Sequence, residues 1–87
     1  MNIMKQELSI EQETSRVEKG YNTFLNDLVE KLDDRVYIVK GKYEVEDLTT
    51  KEDINGVYQC TCPDHVYRGV NCSHIIAVQF MIMEYGA

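Results

Sequence analysis

The chain has 87 residues, 44% of them apolar, with nine basic and fifteen acidic side chains for a net charge of −6. That length holds one small domain, and a domain near this size buries only about 60% of its unfolded surface, so a covalent or metal staple is expected. The charge disfavours a nucleic-acid partner on average. No apolar run is long enough to cross a bilayer and no signal-peptide layout opens the chain, so a cytoplasmic protein without a membrane partner is expected.

Residues 1–10 mix charged and polar side chains without a firm period and are expected to be a flexible lead-in. Residues 11–34 are expected to be an N-terminal helical segment. Within it Val17, Tyr21, Phe24, Leu25 and Leu28 recur at three- and four-residue spacing and line one helical face. Gly20 interrupts the run and weakens the helix by about 1 kcal/mol against alanine. Asp33-Asp34 reads as a turn, which leaves residues 28–32 open between the last helical turn and a strand.

Val36–Val39 and Tyr43–Leu48 are β-rich runs around Lys40-Gly41-Lys42, the pattern of a β-hairpin. Alternation puts Tyr43, Val45 and Asp47 on one face of the second run, and Glu44, Glu46 and Leu48 on the other. Lys31, Arg35, Lys40 and Lys42, the basic concentration in the sequence, are interleaved with acids and read as a solvated edge. Asn55-Gly56 signals a turn, and Val57–Cys62 alternates like a strand, ending where Cys62 meets Pro63. From Asn71 the pattern turns helical, with Asn71 or Ser73 as N-cap, an apolar series from Ile75 to Met83, and Gly86 as the stop.

All three cysteines fall between residues 60 and 72, and an odd number in so short a span suits a metal better than disulfides. Cys60 and Cys62, two apart in a strand, project to the same side, and Cys72 sits where a helix dipole favours the thiolate. A fourth ligand comes from His74 or from His65, which follows Cys62 by three residues. Three thiolates and one imidazole form a closed tetrahedral set for Zn²⁺, with no open position for catalysis. One structural zinc ion and no enzymatic activity are therefore expected.

Cys60-Thr61-Cys62, nine residues, then Cys72-Ser73-His74 resembles the SWIM zinc finger, whose signature is C-x-C, a variable spacer and C-x-H. The lead-in strands, Pro63-Asp64, Arg68-Gly69 and the apolar helix after His74 look like small SWIM proteins of archaeal type. The resemblance implies a ββα zinc-binding core within a module at residues 35–85, with Cys60, Cys62, Cys72 and His74 as the metal ligands. It also implies DNA or protein interaction. The expected fold is α+β: an N-terminal helix, a small antiparallel sheet and a C-terminal helix joined by the zinc site. The expected function is a non-catalytic protein-interaction module, the alternative a nucleic-acid-binding finger. Tyr58 and Tyr67 are expected to pack against the zinc core rather than stack on bases.

The last helix is apolar nearly all round. Ala77, Val78 and Met81 share a face with His74; Ile76, Phe80 and Met83 form a second; Ile75 and Ile82 form a third. One sheet cannot cover all three, so the N-terminal helix or a second protein, as a homodimer or a larger partner, is expected to cover the rest.

Overall fold

The computed structural model describes residues 2–86, with side chains from residue 14 onward. Its elements are helix α1 (Asn2–Leu25), strands β1 (Val29–Asp33), β2 (Val36–Val39), β3 (Tyr43–Asp47) and β4 (Tyr58–Cys60), and helices α2 (Pro63–Arg68) and α3 (Ser73–Tyr85). The backbone of α1 takes in residues 2–10; the side chains of that expected lead-in lie outside the described residues.

Within the N-terminal segment of residues 11–34, helix α1 ends at Leu25. Asp27 adopts the left-handed conformation at φ 60°, Leu28 N–H bonds to the Thr23 carbonyl at 3.2 Å, and Asp27 N–H bonds to the Phe24 carbonyl at 3.1 Å. This pair is a Schellman stop, formed around aspartate where glycine is usual. It frees residues 29–33 to pair as β1, which settles the choice left open at 28–32 in favour of the strand.

The four strands form an antiparallel meander in the order β1-β2-β3-β4. The hairpin falls where expected: Val39 pairs with Tyr43, Tyr37 with Val45 and Val36 with Glu46. Lys40 (φ 58°) and Gly41 (φ 64°) are both left-handed, and Lys42 N–H bonds back to the Val39 carbonyl at 3.1 Å. That is the I′ geometry whose twist suits a hairpin. Arg35 leaves the edge cluster and donates to the Thr49 carbonyl at 2.8 Å, tethering the loop before β4. In that loop Gly56 admits the Tyr58 ring, which would stand 2.2 Å from a Cβ there.

Helix α3 is sandwiched between the sheet and α1. Its Ile75 and Val78 join Tyr37, Val39 and Val45 in the core, and Met81 and Ile82 pack beside them. On the opposite side α1 rides on Gly20, where an added Cβ would stand 2.6 Å from Ile76 Cγ2 and 2.8 Å from the Ser73 carbonyl oxygen. The contact face of α1 therefore overlaps the expected stripe only in part, through Tyr21 and Phe24, which meet Phe80. Gly20 and Thr23 are buried, while Val17, Tyr21, Leu25 and Leu28 remain 42–58% exposed. Thr23 tolerates burial because its hydroxyl donates to the Lys19 carbonyl at 2.7 Å. The two helices run in the same direction: Gly20 meets Ser73 and Ile76, and further along Phe24 meets Phe80 and Tyr85. Most of the apolar circumference of α3 is thus covered within the chain, with Met83 left 77% exposed.

Candidate metal centre

Nine apolar residues are buried among the described residues, and three of them are Cys60, Cys62 and Cys72. The thiols belong to the same cluster as Tyr37, Val39, Val45, Ile75 and Val78. The hydrophobic core and the candidate metal site are therefore one structure.

The end of an element delivers each of the three cysteines, and His74 follows in the first turn of α3. Cys60 closes β4, paired with Val45. Cys62 is the N-cap of α2 and Cys72 the N-cap of α3, in place of Asn71 or Ser73, and neither helix start has a side-chain cap hydrogen bond. Both helices thus begin at a sulfur, where their positive ends favour thiolate. Pro63 at the first position of α2 has the backbone angle a helix start requires. Six residues later Gly69, at φ 65°, stops the helix and turns the chain toward Cys72.

The Sγ atoms of Cys60, Cys62 and Cys72 and a ring nitrogen of His74 all lie within 4.8 Å of one another. His74 Nδ1 stands 3.8 Å from both Cys60 Sγ and Cys72 Sγ. A tetrahedron with bonds of about 2.3 Å has edges of about 3.8 Å, so the spacing suits one metal ion. The Cys62 N–H approaches Cys60 Sγ at 3.5 Å. His74 is half-buried, and Tyr43 lies flat against its ring, with centroids 4.0 Å apart and planes 21° apart.

Without a metal the three thiols compete for charge. A hydrogen bond from Cys72 lowers Cys60 below the usual thiol value. The same hydrogen bond, with burial, pushes Cys72 up to about 12. Burial raises Cys62. A buried triple-thiol cluster cannot carry three charges by itself, and a divalent cation removes that conflict.

His65, the other candidate for the fourth ligand, lies outside the cluster, on α2. Its Nδ1 donates to the Val70 carbonyl at 2.8 Å, bracing the return from α2 to α3. Tyr58 packs against the core as expected, but Tyr67 is 85% exposed, because the unforeseen helix α2 turns it outward.

Asp64 ties α2 to α1. Arg16 Nε and Nη2 donate to its two carboxylate oxygens at 2.9 and 3.2 Å, and Arg68 Nε lies 3.7 Å away. The Arg16 hydrogen bond holds the Asp64 carboxyl below the usual carboxylate range. Arg16, Lys19 and Arg68 gather with Ser15, Asp64 and Ser73 around a cleft of about 330 Å³. Sequence reading missed Tyr43 as a neighbour of the candidate ligands. The β3–β4 register carries the signal, since Val45 opposite Cys60 places Tyr43 on the same face, one pleat toward Cys62.

A family model described as the SWIM zinc finger matches residues 35–81, more than half of the chain. Searches of curated proteins and of solved structures returned no match.

Proposed function

Because this chain belongs to the SWIM zinc-finger family, we propose that Cys60, Cys62, Cys72 and His74 hold one structural zinc ion and that the domain it organises is a non-catalytic protein-interaction module. Three thiolates with one imidazole are a donor set that zinc favours, and four such ligands leave no position for substrate or water. Bound there, the ion supplies folding free energy rather than chemistry. A cluster of free thiols suits a reducing compartment, so the protein belongs in the cytoplasm. Among the described residues no helix is long and apolar enough to cross a membrane.

The observation that carries the interaction role is apolar surface left open after α1 and the sheet have covered α3. Tyr21, Leu25, Met83 and Tyr85 remain 45–77% exposed in a protein of net charge −6. The experiment is affinity capture from host lysate with the zinc-loaded protein beside Cys72→Ser, each with and without nuclease. Proteins retained by the wild type alone after nuclease treatment are the expected result.

A nucleic-acid role has one observation in its favour: the cleft where Arg16, Lys19 and Arg68 converge, assembled from α1 and α2. Against it, Asp64 occupies that cleft and takes the bidentate pair of Arg16. If this role holds, affinity for short duplex DNA falls steeply with added salt and with Arg68→Glu or Lys19→Glu.

A further inference from the structure

We propose that the interaction module has a defined docking groove between the C-terminal ends of α1 and α3, and that its occupant is an amphipathic partner helix whose apolar face is edged by Lys or Arg. This rests on the protein-interaction reading and adds the place and chemistry of the contact.

Tyr21, Phe24 and Leu25 from α1 and Phe80, Met83 and Tyr85 from α3 line a cleft of about 470 Å³. It lies at the end of α3 away from Cys72 and His74, so occupancy leaves the metal ligands untouched. Its aromatic side chains touch one another. Tyr21 meets Phe80 edge-on at 5.1 Å, and Phe24 stacks on Phe80 and tilts against Tyr85, each at 6.2 Å. Rings held this way lose little freedom when a partner arrives. Leu25 on α1 and Met83 on α3 also line it, 58% and 77% exposed. Aromatic and methionine side chains are the types enriched at the centres of protein interfaces, and a groove between two helices accepts a third helix through anchors spaced three and four residues apart.

The rim decides what kind of helix fits. The charged groups lining the cleft are Asp27 and Glu84, both carboxylates, and neither has an ion pair among the described residues. A second copy of this chain would set Asp27 and Glu84 against the same acidic rim, between molecules each of charge −6. Anionic lipid and nucleic acid meet the same repulsion. A helix with Lys or Arg beside its apolar stripe satisfies the carboxylates and the apolar lining together.

The test uses the zinc-loaded full chain and three fluorescein-labelled helical peptides that share one leucine stripe and carry lysine, glutamate or serine at the remaining positions. The lysine peptide is expected to bind most tightly by anisotropy, with amide shifts confined to Tyr21–Asp27 and Phe80–Tyr85. Leu25→Ser and Met83→Ser, both folded by circular dichroism and metal content, should each weaken it about tenfold. Asp27→Lys combined with Glu84→Lys should move the preference to the glutamate peptide, whereas Glu44→Lys with Glu46→Lys, on the outer face of the sheet, should not. Lysine-peptide affinity that ignores the groove substitutions, or falls equally with the Glu44/Glu46 reversal, overturns the groove. So does sedimentation showing a wild-type dimer that Met83→Ser dissociates. Repeating the lysate capture with Leu25→Ser/Met83→Ser separates the two levels. Partners kept by this variant refute the groove and leave the interaction role standing; a wild type that retains no protein refutes both.

Discussion

Tyr43 lies face to face with His74, ring centroids 4.0 Å apart, and so fixes the plane in which the imidazole presents Nδ1 to Cys60 and Cys72. Metal-ligating histidines depend on neighbours that set ring orientation. A stacked pair contributes about 0.5 to 1.5 kcal/mol, roughly two- to tenfold in affinity. Tyr43→Ala should weaken zinc binding by about that factor in competition with a chromophoric chelator. Tyr43→Phe, which keeps the ring, should match the wild type.

Chelation should dismantle more than the ligand loop, because Cys60, Cys62 and Cys72 are core residues and not attachments to a core. Zinc contributes about 10 to 16 kcal/mol in small sites at neutral pH, more than a domain of this size holds in reserve. With a strong chelator, or in Cys72→Ser, amide dispersion should collapse across residues 55–85 and also across 14–25, since α1 docks on α3. A metal-free protein with unchanged dispersion would refute this.

Zinc binding should release protons. The Cys62 and Cys72 thiols are both raised above the ordinary value, Cys72 to about 12, so at neutral pH both are protonated in the metal-free protein. Each proton must leave for the thiolate to bind. Affinity therefore rises as pH increases and falls as it decreases. Roughly two to three protons should appear per zinc at pH 7.5, measured as the dependence of calorimetric enthalpy on buffer ionisation heat.

Gly20→Ala should destabilise the protein although alanine is the better helix former. The gain of about 1 kcal/mol in propensity is outweighed by a Cβ placed 2.8 Å from the Ser73 carbonyl oxygen, which is backbone and cannot rotate away. Overpacking of this kind costs about 1 to 3 kcal/mol. Thermal denaturation should show a midpoint lowered by several degrees, about 4 to 8 °C for each kcal/mol net.

Asp27→Gly should stabilise. Asp27 stops α1 in the left-handed region at φ 60°, where a Cβ costs about 1 to 2 kcal/mol and glycine pays none. The extra freedom of glycine in the unfolded chain returns part of that. A urea midpoint shifted upward with unchanged slope is the expected outcome.

The cluster of candidate ligands was legible because its signal is local: Cys60, Cys62, Cys72 and His74 announce themselves by residue type and spacing within fifteen positions, and the structure brings them together. The β2–β3 hairpin was legible for the same reason, through alternation around Gly41. Helix α2 was not, since Pro63–Arg68 is too short for a hydrophobic period and has no buried residue. The docking face of α1 was legible in part: Tyr21 and Phe24 of the apolar stripe do meet Phe80, while Val17, Leu25 and Leu28 stay largely exposed. The contact also uses Gly20, which offers absence of volume, and Thr23, which satisfies its own hydroxyl, and neither stands out in an apolar pattern. Arg16 with Asp64, and Tyr43 with His74, are pairings between distant segments, and no window of sequence holds both partners.

The placement of α1 sets a limit on how the protein can be divided. A fragment cut to residues 35–81 would retain all four ligands yet leave Ile76 and Phe80 without the helix that covers them, and Asp64 without Arg16. Such a fragment should load metal and still be prone to aggregation, because its recognisable signature is shorter than its cooperative unit. The segment ahead of residue 35 supplies the first surface bound by the zinc module, and it does so as part of the same chain.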